Sequence, residues 1–356
     1  MKNLKKVFLT LLLIALGASG AYAQYVTTHA KMAMPGQQQG IYYALPRTVL
    51  KIDFVMEKID LVKGPYSDYV GMIGADESVS EDSEEYRLTN VRMSTYAEAD
   101  PQATFFVAFN KKGANDEFYL SPKGILQGVG MNVESSEMPS SEPIMEQEIP
   151  IVDRTFKYHY GAKGYKSEDQ MARAAADMIN RIREEKIKLI TGFQETSFAL
   201  DTYRQMYADL EAMENEYLSL FVGKRIVKTV VRTIYVTPKK GVPTMTVGTF
   251  SKETGFVPGI TEESNGVNVT VQMTSLNTTG SINQASQSAV ESLSQDNKLF
   301  YRIPETANIK VNFEEETVFT CRTTVAQFGA FTLAPLGNTK MAFDPNTGQV
   351  IRFGAE

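Results

Sequence analysis

The stretch Thr48-Val49-Leu50-Lys51-Ile52-Asp53-Phe54-Val55-Met56-Glu57-Lys58-Ile59 decides the fold. Its even positions from 50 to 56 are all apolar, and three of the four odd positions from 51 to 57 are charged. An apolar residue at every second position is typical of a β-strand that buries one face and leaves the other in water. The stretch therefore predicts a half-buried strand at the start of a β-rich fold.

Strand-like segments continue on both sides of this stretch. They fill an N-terminal β-rich domain at 41–133 and a C-terminal β-rich domain at 225–356, both predicted to be antiparallel and sandwich-like. The further segments are 87–96, 104–110, 125–133, 225–237, 244–250, 266–274, 299–302, 309–313 and 317–333. Residues 340–353 are predicted as a hairpin, because Pro345, Asn346 and Gly348 favour a tight turn.

Between the two β-rich domains, the apolar spacing changes to three and four residues, which is typical of amphipathic helices. The spacing predicts helices at about 167–191 and 201–222. Ser167 and Gln170 form a capping box at the start of the first helix. A short connection makes such helices antiparallel neighbours, so residues 151–224 are predicted as a helical hairpin. The predicted fold class is α+β.

Gly192 follows the first predicted helix at the position of a left-handed C-terminal cap, and Gly223 is predicted to end the second helix. Basic residues late in the first helix could face carboxylates of the second or could be solvated. The basic residues are Arg181, Arg183, Lys186 and Lys188, and the carboxylates belong to Glu211, Glu214 and Glu216.

Four other segments have too little apolar content for a core. Residues 24–40 are predicted as a flexible leader, and 134–150, with three prolines and five glutamates, as a linker or long loop. Residues 277–295, rich in Ser, Gln and Asn, are predicted as a long flexible loop or insertion. The acidic residues 76–85 are predicted as a solvated loop or a mobile flap, and weak calcium binding is the alternative for them.

Residues 1–23 have the order of features of a bacterial secretory signal peptide. Three lysines come first, an apolar run at 7–18 follows, and Ala21-Tyr22-Ala23 forms a small-x-small cleavage site before Gln24. The apolar run is short for a bilayer core of about 30 Å, so a retained membrane span is the weaker interpretation. We expect an exported, cleaved protein that is soluble in the periplasm or outside the cell.

The charge and the cysteine content narrow the expected function further. Loss of residues 1–23 removes three lysines and no acids, which moves the net charge from −6 to −9 and argues against nucleic-acid partners. Cys321 is the sole cysteine, so there is no internal disulfide and no lipid-attachment cysteine after the signal. No second apolar stretch of a membrane-spanning length follows residue 23.

Several segments together resemble a family of exported bacterial proteins known only as a domain of unknown function. The helix-pair segment, with its two stretches 174–192 and 210–224, is the most specific part. The other segments are 42–50, 64–69, 301–305 and 326–329. The resemblance implies export and the mixed architecture, and it supplies no active-site residues to transfer.

No group of side chains in the sequence indicates catalysis, so we expect no catalytic residues, no cofactor and no metal site. His29 and His159 are the two histidines, too few for a histidine-rich zinc site. Cys321 lies in a predicted strand and is expected to be a buried, unreactive thiol. Nucleophile-elbow, phosphate-loop and zinc-protease motifs are absent from the sequence. Paired carboxylates that hydrolyse a glycoside could still meet in space.

Four tyrosines, Tyr42, Tyr43, Tyr66 and Tyr69, lie near glycine and proline outside any regular strand pattern. They form either an exposed recognition surface or the rim of a β-domain core.

The leading functional expectation is an exported, non-enzymatic protein that binds or scaffolds in the bacterial envelope, with an envelope protein or glycan as its partner. The alternatives are a hydrolase that uses paired carboxylates or a serine, and an extracellular glycan- or peptide-binding module.

Overall fold

The computed structural model of the chain describes residues 24–34, 38–110, 117–132, 153–158, 167–191, 199–259, 266–280, 282, 294–337 and 339–355. Within them, the chain forms antiparallel sheets with two long helices in the middle of the sequence, which confirms the α+β class. The predicted signal peptide, the linker at 134–150, His159 and Gly192 lie outside the described residues.

The described strands form three sheets. The five-stranded first sheet has the order β10-β1-β3-β2-β6, the five-stranded second sheet has the order β12-β11-β9-β7-β8, and the four-stranded third sheet has the order β14-β13-β5-β4. The strands are β1 (Tyr25–His29), β2 (Gly40–Val62), β3 (Ser83–Phe109), β4 (Phe118–Leu120), β5 (Leu126–Val129), β6 (Lys224–Val236), β7 (Thr244–Ser251), β8 (Gly255–Pro258), β9 (Val267–Ser275), β10 (Gln295–Asp296), β11 (Lys298–Phe313), β12 (Glu316–Pro335), β13 (Thr339–Phe343) and β14 (Val350–Ala355). The helices are α1 (Glu168–Thr191) and α2 (Leu200–Val222). Short 3₁₀ helices lie at Ala30–Met32 and Ser67–Ile73.

Two long antiparallel pairs organise the β structure. β2 and β3 pair from Gly40 opposite Ala108 to Leu61 opposite Ser83, and β11 and β12 pair along almost their whole length. The predicted strand at 48–59 is thus the middle of β2, and its four inward residues at 50, 52, 54 and 56 are at most 1% exposed. The alternating pattern is confirmed.

Each long pair passes through two hydrophobic cores. The lower core packs β2 residues such as Phe54 against β8, β9 and β11, with Phe54 and Phe256 stacked 4.0 Å apart. The upper core packs Tyr25 and Phe105 against β11 and the third sheet, with Phe105 and Phe300 stacked 4.5 Å apart. Such apolar burial is the main favourable contribution to folding.

Residues from 41–133 and 225–356 share both cores. β6 pairs with β2 in the first sheet, and β13 pairs with β5 in the third. The helical hairpin is therefore inserted between two parts of one β structure, because neither part alone covers its apolar faces.

The segment 24–40, predicted as a flexible leader, contains a strand and needs correction. β1 lies between β3 and β10, and Tyr25 and Thr27 on its inner face are 1% and 0% exposed. The two threonines of this short strand hide its apolar alternation in the sequence. Hydrogen bonding to β3 on one edge and to β10 on the other stabilises β1, rather than a strong local preference for strand.

The helical hairpin agrees with its predicted bounds to within one residue. Ser167 Oγ accepts a hydrogen bond from the Gln170 amide at 3.4 Å, and Gly223 ends α2 at φ 85°. The expected cross-helix ion pairs are present, since Arg183 and Lys186 both bind the Glu214 carboxylate. No described helix has the length and apolar content that a membrane crossing needs.

Candidate binding site

Both long strand pairs become irregular at one level, between the two cores. The register of β2 against β3 shifts between Ala44 and Pro46. The register of β11 against β12 shifts between Ile303 and Glu305, where residues 326–329 form a bulge in β12. We call this level the waist and define it by residues 46–48, 302–305 and 326–329.

Glycine is required at the end of the waist bulge. A Cβ atom on Gly329 would lie 1.8 Å from the carbonyl oxygen of Ile303. The backbones of β11 and β12 therefore approach more closely here than any side chain allows.

Arg302 is the central charge of the waist and is 3% exposed. Its guanidinium donates to the carbonyl oxygen of Pro46 and, at 3.0 Å, to the carboxylate of Asp100. The guanidinium also lies 4.9 Å from the ring centre of Phe331, a cation–π contact. Burial lowers the pKa of Arg302 and Asp100 opposes that effect, but an arginine remains charged at any physiological pH.

Gln327 ties the β12 bulge to β2. Its Oε1 accepts from the Thr48 amide at 2.8 Å, and its Nε2 donates to the carbonyl oxygens of Thr48 at 2.9 Å and Pro238 at 3.0 Å. The Ala326 amide also donates to Thr48 Oγ1 at 2.9 Å. These bonds replace the regular strand pairing that the bulge interrupts.

Glu305 is the second buried charge of the waist and is 1% exposed. Its carboxylate accepts from the hydroxyls of Thr278 and Thr279 at 2.6 and 2.7 Å, and from the amides of Thr279 and Thr306, both at 2.9 Å. Burial alone would raise its pKa, but the hydrogen bonds outweigh burial and lower the pKa to about 2. Glu305 thus fixes the residues that begin the predicted 277–295 insertion.

A groove of about 310 Å³ opens beside the waist. Its floor contains Met273 and Phe328, which also belong to the lower core and are 3% and 7% exposed. Its rim is the connection between β6 and β7. The lining residues are Lys239, Lys240, Gly241, Val242, Pro243, Met273, Ser275, Asn277 and Phe328.

Lys240 turns its ammonium group towards the waist although much of its side chain is exposed. Nζ donates to the carbonyl oxygen of Gly329 at 3.3 Å. Burial lowers the pKa of Lys240, and the positive charge of Arg302 lowers it further, whereas Glu305 opposes the shift. The ammonium group is therefore held at Gly329, the residue that follows Phe328 in the chain.

A second buried charge cluster lies at the lower end of β2 and has a structural role. Asp60 is fully buried, and its Oδ1 lies 3.2 Å from Lys58 Nζ and 3.1 Å from Arg154 Nη2. Glu84 binds both cations as well. The cluster fastens residues 153–158 to the end of the first sheet.

The six carboxylate residues of the acidic stretch 76–85 are exposed, as predicted, but the prediction of a loop or flap is wrong at 83–85, where β3 begins and pairs with β2. Across the described ranges, no three His, Cys, Asp or Glu side chains are grouped as metal ligands.

The four tyrosines proposed as a recognition surface are not brought together. Tyr43 is 1% exposed in the upper core, where its hydroxyl hydrogen-bonds the backbone of Phe300. Tyr66 is 3% exposed and packs against the helical hairpin, as does the half-buried Tyr69. Tyr42 is 43% exposed. Of the two interpretations of these tyrosines, core packing holds for Tyr43 and Tyr66, and the four side chains do not form one exposed surface.

The residues considered for nucleophilic or metal chemistry lie apart from the waist. His29 ends β1, and its Nε2 lies 3.0 Å from the carbonyl oxygen of Gln102. Cys321 is half-buried on β12, with Sγ 4.0 Å from the sulfur of Met93. Burial raises the pKa of the Cys321 thiol, so the reactive thiolate is disfavoured.

The sequence did not single out Arg302, Glu305, Gln327 or Lys240. An available signal was the pair of charges that flanks Pro304 inside an otherwise strand-like segment. A second signal was the set of segments that carry the family resemblance, because 42–50, 301–305 and 326–329 meet at the waist.

Comparison with known proteins gives one match. A family model described as "Domain of unknown function (DUF4831)" matches residues 39–351, most of the chain. Neither a curated protein nor a solved structure matches.

Proposed function

We propose that this chain, which belongs to the DUF4831 family of proteins, is an exported, non-enzymatic binding protein of the bacterial envelope whose ligand occupies the waist groove. The observation that carries the proposal is the groove itself. It combines an apolar floor with a few polar groups and lies on a rigid part of the fold. Ligand sites in proteins typically have this composition and volumes of roughly 300–1,000 Å³.

The floor of the groove is rigid because it belongs to the lower core. Met273 lies on β9, which is paired on both edges, and its amide donates to the Pro243 carbonyl oxygen at 2.7 Å. Gln327, next to Phe328, is fixed by three hydrogen bonds. A ligand therefore meets a preformed surface and loses little affinity to ordering of the protein.

The waist charges support binding rather than catalysis. The Arg302 guanidinium is committed to Pro46 and Asp100, and the Glu305 carboxylate to its four donors. A carboxylate whose pKa is about 2 is a weak general base near neutral pH. Hydrolysis through paired carboxylates is not favoured in this groove, because its lining residues named above include neither aspartate nor glutamate.

Export is supported by the lysines, the apolar run and the Ala21-Tyr22-Ala23 site of residues 1–23. A mass measurement of the protein from a periplasmic fraction tests this part. The expected mass begins at Gln24, and replacing Ala23 by phenylalanine is expected to abolish that product. A cytoplasmic product that keeps residues 1–23 would contradict export.

Retention of small molecules tests the binding role. The purified protein is incubated with the small-molecule fraction of an envelope extract from the source organism, and retained compounds are identified by mass spectrometry. Ser275→Phe places a ring in the groove, whereas Thr274→Phe changes an exposed neighbour outside the lining. We expect wild type and Thr274→Phe to retain a compound that Ser275→Phe loses. Equal retention by all three proteins, or none by wild type, would contradict the proposal.

A further inference from the structure

The groove differs in charge from the rest of the protein. The whole chain has a net charge of −6, yet the two charged residues that line the groove, Lys239 and Lys240, are both positive. No carboxylate lies among the lining residues in the described part of the chain. An anion is therefore attracted to the groove and repelled by the acidic surface elsewhere.

The positive charge lies beside an apolar surface. Lys240 Nζ is held at the Gly329 carbonyl oxygen, one residue after Phe328 of the floor. Val242, 37% exposed, and Pro243 extend the apolar surface to the rim. A ligand that satisfies both features has an apolar body and an anionic end.

The donors of the groove suit a carboxylate better than a phosphate dianion. Arginine forks and helix N-termini are the usual recognition elements for phosphate, although lysine also serves. Arg302 is the arginine near the groove, and its guanidinium is engaged by Pro46 and Asp100. Lys239, Lys240, Ser275 and Asn277 are the lining residues whose side chains carry hydrogen-bond donors for an anion.

We propose that the groove binds a small amphipathic carboxylate, with the carboxylate at Lys240 and the apolar body on Met273 and Phe328. The proposal rests on the binding role above and names its ligand class. A fatty-acid carboxylate and the carboxyl terminus of an apolar peptide share this chemistry, and the volume of about 310 Å³ limits either to a short ligand.

Methionine-methyl NMR with four probes tests the ligand class. The probes are octanoate, octanamide, N-acetyl-leucine and N-acetyl-leucinamide, added to the protein labelled with ¹³C at its methionine methyl groups. Met273→Leu assigns the floor resonance. We expect at least one acid to shift the Met273 resonance with a dissociation constant at least tenfold below that of its amide.

Two variants locate the charge recognition. Lys240→Gln is expected to remove the tenfold preference for acid over amide while the amide still shifts the Met273 resonance. Lys252→Gln, which makes the same charge change on an exposed turn outside the groove, is expected to keep the preference. A preference that survives Lys240→Gln would overturn the assignment of the carboxylate to Lys240.

The outcomes distinguish the two ligand sources from each other. They also distinguish a failure of the carboxylate class from a failure of the binding role. Tighter binding of octanoate indicates a fatty-acyl ligand, and tighter binding of N-acetyl-leucine indicates a peptide carboxyl terminus. Equal affinity for acid and amide, or no shift of Met273 with any probe, overturns the carboxylate class. If a Ser275-dependent compound is still retained from envelope extract, the binding role stands. If no Ser275-dependent compound is retained either, the carboxylate class and the binding role are both contradicted.

Discussion

Glu305 combines near-complete burial with four donors, and its charge is therefore coupled to folding. In Glu305→Gln the shape is kept and the charge is lost. We expect a loss of about 2 kcal/mol in the free energy of unfolding at pH 7, since hydrogen bonds to charged groups contribute about 1.5–3 kcal/mol. Urea denaturation measures the loss, and Glu315→Gln on an exposed turn is the control.

The pH dependence of that loss follows from the lowered pKa of Glu305. A carboxylate with a folded-state pKa of about 2 and an unfolded-state pKa of about 4.3 stabilises the fold fully above the unfolded-state value. The contribution disappears as the pH falls from about 4.3 towards 2. The difference between wild type and Glu305→Gln is expected to shrink in that window. A difference that is constant from pH 7 to pH 2.5 would contradict the role of the charge.

Gly329 tests the close approach of the strands at the waist. Gly329→Ala places a Cβ atom against the Ile303 carbonyl oxygen, so the bulge must move, and overpacking of this kind costs about 1–3 kcal/mol or more. Gly71→Ala is the matched control, because a Cβ there meets nothing within 4 Å. Thermal unfolding is expected to show a clear loss for Gly329→Ala and a change within about 0.5 kcal/mol for Gly71→Ala. Equal effects would show that the bulge tolerates a side chain.

At the scale of elements, the two helices differ in their N-terminal caps. Ser167→Ala removes the bond to the Gln170 amide and should cost about 0.5–1 kcal/mol, the low part of the usual range because the bond is long. Ala199, the N-cap of α2, has extended backbone angles and no side-chain cap, so Ala199→Ser should stabilise the protein by a similar amount. Chemical denaturation measures both changes. No loss for Ser167→Ala would show that the capping box contributes nothing.

The sequence was most informative where one local rule decided the structure. The alternation at 50–56 and the three- and four-residue spacing of the helical hairpin gave elements that agree closely with the structure. The sequence was less informative where pairing with another strand determined how far a strand extends. Separate strands were expected at 87–96 and 104–110, but β3 runs continuously from Ser83 to Phe109 because β2 pairs with it throughout.

The waist could not be assembled from local patterns. Pro46 and Arg302 are 256 positions apart in the sequence. A motif search compares residues over much shorter separations. Periodicity reports which face of a strand is buried, but it does not report which distant bulges meet. The charges of Arg302 and Glu305, on either side of Pro304, were visible in the sequence. Their distant hydrogen-bond partners could not be identified from it.

At the scale of the whole molecule, the shared cores predict cooperative unfolding of the β structure. Strands from before and after the helical hairpin pair in the first and third sheets and fill both cores. We therefore expect one transition for the β structure, with far-UV circular dichroism of the strands and tyrosine fluorescence changing together. A calorimetric trace in which the strands of 41–133 melt separately from those of 225–356 would contradict this.

The placement of β1 has a consequence for the order of events in biogenesis. Tyr25 packs in the upper core with Leu299, Phe300 and Met341, and β1 pairs with β10 as well as with β3. A chain that emerges N-terminus first must therefore wait for nearly its whole length before its first strand has all its neighbours. Long-range closure of this kind slows folding, so we expect β1 to be completed in the sheet only after residues 295–343 have been synthesised.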